Sequence, residues 1–119
     1  MLFLEYPTCS TCKNAKKFLE NQGVDFEDRN IKENNPNAEE LTEWITKSGL
    51  EIKRFFNTSG LVYKALELKD KLPNMSFEEK VNILATDGML IKRPLLIGED
   101  FILVGFKEDI WQEMLNVEK

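Results

Sequence analysis

Between Leu2 and Arg29 the hydrophobic period changes twice, and that alternation confines the chain to a few α/β architectures. Leu2 to Tyr6 is a short, mostly apolar run ended by Pro7 and Thr8, as a buried strand is. From Cys12 the pattern turns helical. Ala15, Phe18 and Leu19 recur on one face, and Lys13, Lys16 and Lys17 fall largely off it. Gly23 suits a left-handed helix terminus. Val24 to Arg29 then alternates as a second strand. Two strands joined through a helix run parallel.

The far end reads differently. Pro94 to Ile97 and Phe101 to Val104 are short strands separated by Gly98-Glu99-Asp100, a tight turn that makes them antiparallel. Gly105 breaks the second, and Lys107 to Val117 is an amphipathic helix carrying Ile110, Trp111, Met114 and Leu115. In between lie helical segments. One opens near Pro36, carries Leu41, Trp44 and Ile45, and ends near Gly49; a second short piece covers Glu51 to Phe56. Another is capped by Ser76, with Glu78 and Glu79 in its first turn, and runs toward Gly88. Trp44 and Trp111 sit on apolar helical faces and are expected in the core. The expected fold is α/β and thioredoxin-like. A four-stranded mixed sheet carries flanking helices, in a single domain over 1–119 with a helical insertion over roughly 36–88.

Composition removes whole classes of chemistry. There are no histidines, so Ser-His-Asp and Cys-His mechanisms are excluded. Two cysteines cannot complete a four-cysteine zinc site within one chain, and no metal is expected. The net charge of −5 disfavours direct binding to nucleic acid. No stretch has the length of a membrane span, and the first residues have no basic leader, so a cytoplasmic location without membrane contact is expected.

What remains is Cys9-Ser10-Thr11-Cys12, where the first strand gives way to the first helix. A helix N-terminus presents partial positive charge and free N–H groups, which favour a thiolate. Cysteines three apart across a first turn face the same side, close enough to bridge. Cys9 is expected to be the outer, attacking sulfur and Cys12 the buried, resolving one. Lys13 adds positive charge, and the hydroxyl of Ser10 or Thr11 is a candidate donor to the sulfur. Across the fold, Arg93-Pro94 opens a strand. A cis bond there, facing the cysteines, would orient a bound substrate strand and bring Arg93 near Cys9 to lower its pKa or hold an anion.

Four segments together give the chain its resemblance: Thr8 to Ala15, Asp28 to Ile31, Lys92 to Ile97 and Val104 to Glu108. They resemble the arsenate reductase/Spx family of thioredoxin-like proteins over nearly the whole length. The resemblance implies Cys9 as catalytic cysteine and Arg93 as the arginine before a cis-proline. Arsenate-reducing members use one cysteine and three arginines; the positions matching the other two arginines are Asn57 and Phe106, with Arg54 three residues before Asn57. Cys12 stands where those enzymes have no cysteine, and the Cys-x-x-Cys arrangement is similar to the Spx branch. Spx-like proteins are redox-sensing regulators that bind the RNA polymerase alpha subunit through a glycine matching Gly49, a residue that also suits a helix terminus.

Three functions follow as expectations. The first is a glutaredoxin-like thiol–disulfide oxidoreductase acting on a thiol or disulfide protein or on glutathione, with no bound cofactor and with glutathione or thioredoxin as external reductant. The second is an Spx-like regulator, and the third an arsenate reductase.

Overall fold

The structure, a computed structural model, describes residues 1–118. Two compact units make up the chain: residues 1–30 with the segment from Arg93 onward, and residues 31–92.

The first unit contains β1 (Leu2–Glu5), α1 (Ser10–Asn21), β2 (Glu27–Asn30), β3 (Leu95–Ile97), β4 (Ile102–Val104) and α6 (Glu108–Glu118). Its sheet runs in the order β2-β1-β3-β4. β1 and β2 are parallel, with Leu2 opposite Glu27, whereas β1–β3 and β3–β4 are antiparallel. This is the mixed four-stranded sheet of a thioredoxin-like fold. Its core joins Phe3 and Leu96 of the sheet to Ala15, Phe18 and Leu19 of α1 and Trp111 and Leu115 of α6. The Trp111 indole N–H donates to the Gly105 carbonyl at 3.0 Å, so the buried ring leaves no polar atom unsatisfied. Gly105 sits at φ +73, and its N–H donates to the Pro94 carbonyl at 2.8 Å.

Element ends differ from the sequence expectation for identifiable reasons. α1 starts at Ser10 rather than Cys12, because Cys9 itself is the cap. β2 starts at Glu27 rather than Val24. The Val24 N–H is taken by the Leu19 carbonyl and the Gly23 N–H by Glu20, which together end the helix with Gly23 at φ +68. Only at Glu27, whose N–H reaches the Met1 carbonyl, does the ladder begin.

The second unit, which contains the 36–88 segment, is helical: α2 (Ala38–Ser48), a 3₁₀ turn (Ile52–Phe55), α3 (Leu61–Ala65), α4 (Leu68–Lys71), a 3₁₀ turn (Leu72–Asn74), α5 (Phe77–Leu84) and a 3₁₀ turn (Gly88–Leu90). α2 opens on Asn37, not Pro36, since Asn37 supplies the side chain that Pro36 lacks. It forms a reciprocal cap with Glu40, as Ser76 does with Glu79 at the start of α5. α5 ends at Leu84, short of Gly88. Gly88 serves a different purpose. A Cβ there would lie 1.7 Å from the Ile31 carbonyl oxygen, so the two backbones touch. Nearby, Phe56 and Ile91 pair as an antiparallel bridge.

Gly88→Ala is therefore expected to destabilise the protein by about 3 kcal/mol or more, since a backbone atom cannot yield to the methyl group. Urea unfolding measures this; an unchanged midpoint would mean that the Gly88–Ile31 approach relaxes without cost.

Candidate active site

The turn between β1 and α1 builds the thiol pair. The Cys9 N–H donates to the Tyr6 carbonyl at 3.0 Å, which folds the chain back at Pro7-Thr8. Cys9 is left extended (φ −77, ψ 119) as the N-cap of α1, and its carbonyl accepts the Lys13 N–H at 3.0 Å. Its Sγ accepts the Cys12 backbone N–H at 3.3 Å. Sulfur thus occupies the position an oxygen fills in an ordinary cap, where helix dipole and orphan N–H groups favour negative charge. The donor to the Cys9 sulfur is thus a backbone N–H, and the side chains of Ser10, Thr11 and Lys13 are exposed.

The two sulfurs are free thiols in unequal surroundings. Cys9 is partly exposed and Cys12 has no exposed surface. Burial pushes the Cys12 thiol up to about 12, helped by its hydrogen bond to Cys9 and by the Cys9 charge. A hydrogen bond from the Tyr6 backbone and the charge of Arg93 pull the other way. Cys12 therefore stays protonated at neutral pH, and Cys9 is the sulfur that solvent can reach.

Arg93 and Pro94 are joined by a cis peptide bond. The Arg93 guanidinium lies 5.5 Å from the centre of the Tyr6 ring, a cation–π distance. Tyr6 thus meets Cys9, Cys12 and Arg93 at once. Phe106, expected to match a family arginine, packs edge-on against Trp111 at 4.9 Å and tilted against Phe18 at 5.7 Å, as part of the core margin. Gly49, Arg54 and Asn57 belong to the second unit. Gly49 ends α2 at φ +70, with open space where a Cβ would be. Among the described residues no three Cys, Asp or Glu side chains converge as a metal site.

One charged group under α1 escapes a first reading of the sequence. Glu5, the last residue of β1, is 5% exposed. Period two places it on the same face as Phe3, which α1 covers. Its Oε2 is buried without a hydrogen bond and lies 3.8 Å from Lys16 Nζ. Lys16 in turn is 2.7 Å from Asp28 Oδ2, so it is not merely a solvated helix lysine. Burial, then the hydrogen bond and charge of Asp28, push the Glu5 carboxyl up to about 7; Lys16 opposes this and Glu20 adds to it. The signal in the sequence was a carboxylate at the inward position of the run Leu2-Phe3-Leu4-Glu5.

Because the folded pKa of Glu5, about 7, lies above its ordinary 4.5, the folded state holds the proton more tightly. Its stabilising contribution is full below pH 4.5 and is lost as pH rises to about 7. Glu5→Gln, which cannot ionise, is expected to gain on the natural protein by about 3 kcal/mol between pH 4 and pH 8. Urea unfolding at both pH values tests this. A constant gap between the two proteins would mean that the Glu5 carboxyl titrates alike in the folded and unfolded chain.

Comparison with known proteins fits this geometry. The profile of the ArsC family matches residues 4–114. The uncharacterised protein YusI of Bacillus subtilis is 50% identical over 113 residues, spanning 95% of this chain and 96% of its own. The crystal structure of an ArsC family related protein from Bacteroides fragilis is 53% identical and superposes with a TM-score of 0.91, covering 95% of both chains. The global transcriptional regulator Spx of Enterococcus faecalis is 28% identical over 87% of this chain and 76% of its own. With the family profile spanning most of its length, the chain belongs to the ArsC family.

Proposed function

We propose that the protein is a glutaredoxin-like thiol–disulfide oxidoreductase in which Cys9 attacks and Cys12 resolves. The observation that carries this reading is the inequality of the two sulfurs: Cys9 caps the helix and is partly exposed, while Cys12 is wholly buried one turn later.

The chemistry runs in two steps. The Cys9 thiolate attacks one sulfur of a substrate disulfide, forms a mixed disulfide and expels the other half as a thiolate, which takes a proton from water. While Cys9 is an anion, its charge and hydrogen bond hold Cys12 protonated. Once Cys9 is bound in the mixed disulfide those contributions are gone, and burial, the largest one, remains. Cys12 therefore gives up its proton as it attacks the Cys9 sulfur, the proton passing to the leaving substrate sulfur, which departs as the second thiol. Two electrons have passed from the protein dithiol to the substrate, and a Cys9–Cys12 disulfide remains. An external thiol, glutathione or a thioredoxin, returns the electrons. Arg93 stacked on Tyr6 would hold the carboxylate of a glutathione-like partner near the sulfurs.

Reduction of arsenate by the same cysteine is the weaker enzymatic reading. An oxyanion needs clustered cationic donors, and Phe106 at one matching position is packed on Trp111 and Phe18. A regulatory output is favoured by the relationship to Spx and by the open surface at Gly49, with the RNA polymerase alpha subunit as partner. In that case oxidation of Cys9 and Cys12 would alter binding of the alpha subunit. Titration of that subunit against the oxidised and reduced protein tests it, and equal or absent binding in both states overturns it.

Turnover of a glutathione mixed disulfide is expected to disappear in Cys9→Ser, by at least ~10³-fold. Cys12→Ser is expected to accumulate a stable mixed disulfide at Cys9, visible by mass spectrometry. If the natural protein forms no Cys9–Cys12 disulfide at any glutathione poise, the dithiol mechanism is wrong.

A further inference from the structure

The second unit carries a recess that thiol chemistry does not use. It has a volume of about 160 Å³ and is lined by Phe56, Tyr63 and Leu72, with Lys53, Lys69 and Lys80 around it. Each lysine comes from a different element: the 52–55 turn, α4 and α5. Phe56, Tyr63 and Leu72 are buried among the surrounding residues, and the two rings meet edge-on with centroids 6.1 Å apart.

Two features distinguish this recess from a solvated lysine face. The chain has 21 acidic residues against 16 basic ones, so acidic partners for lysine are in excess. Yet among the described residues Lys53, Lys69 and Lys80 make no ion pair, whereas Lys16 pairs with Glu5 and Asp28. Acids do lie beside these lysines in sequence, Glu51 near Lys53, Glu67 and Asp70 near Lys69 and Glu79 next to Lys80, and Glu67 and Asp70 line an adjoining cavity that shares Tyr63 and Lys69, but none forms an ion pair with the three lysines. Three like charges around an apolar floor repel one another, and a bound anion would relieve that repulsion. The volume is close to that of a cavity filled by one benzene ring. The edge-on rings offer an aromatic wall against which a further ring can pack.

We infer that this recess binds a small aromatic anion, a single ring bearing a carboxylate or phosphate, with the ring on Phe56, Tyr63 and Leu72 and the head group among Lys53, Lys69 and Lys80. The site is independent of the cysteines. It gives the helical unit a ligand of its own.

The test is a titration of the ¹⁵N-labelled full chain with benzoate and with phenyl phosphate, followed by amide shifts. Saturable shifts at Tyr63, Lys69 and Leu72, with a dissociation constant of about millimolar for a ligand this small, are expected for at least one of them. The tighter one identifies the head group. Benzyl alcohol and benzylammonium, which keep the ring without the negative charge, are expected to bind at least ~10-fold more weakly. The triple variant Lys53→Gln, Lys69→Gln, Lys80→Gln is expected to lose affinity by about 10-fold while keeping its melting temperature and its thiol turnover. Absence of saturable shifts with either anion, equal binding of benzyl alcohol, or full affinity in the folded triple variant would each overturn the inference.

Discussion

Tyr6 is the residue on which the active end of the first unit depends. Its carbonyl holds the Cys9 N–H, its backbone donates to the Cys12 sulfur, and its ring carries the Arg93 guanidinium. These contacts need a chain that leaves β1, turns at Pro7-Thr8 and enters α1 within a few residues. The turn therefore sets the position of both sulfurs relative to the helix axis. Capping by sulfur rather than oxygen is weaker as a helix start, but it leaves the capping atom reactive. Function and local stability are exchanged at a single position.

Beneath the same helix the packing is mostly apolar, and one acid interrupts it. Glu5, Lys16 and Asp28 form a chain of charges in which the most buried member is an acid with an oxygen left without a hydrogen bond. A buried, unsatisfied carboxyl is costly unless it keeps its proton. Asp28 and Lys16, each partly in solvent, form the close pair, and Glu5 carries the burial. An apolar residue at position 5 would pack without that cost.

The helical unit solves its own problem by different means. Two reciprocal caps, Asn37 with Glu40 and Ser76 with Glu79, start its two longest helices, and Gly88 lets the chain press against Ile31. Between the shorter elements it leaves a recess rimmed by lysines over aromatic rings. No lysine in that group is close to another in sequence, so the charge cluster exists only once the unit folds.

Much of this was written in local patterns. Period two in Leu2 to Glu5, the helical face Ala15-Phe18-Leu19, the Gly98-Glu99-Asp100 turn and the Ser76 cap determine element type, because each depends on neighbours within a few residues. So does the Cys9–Cys12 spacing at a helix start. The boundaries were less legible: β2 begins late because its preceding amides close α1. The helix start also pointed to Cys12 as the buried sulfur. Tertiary structure alone decided that β1 pairs with β3, that Glu5 shares an environment with Asp28, and that Arg93 lies over Tyr6. Those facts join residues far apart in sequence. Burial, and with it the pKa of a thiol or carboxyl, is a property of everything packed around a group rather than of the group's own segment.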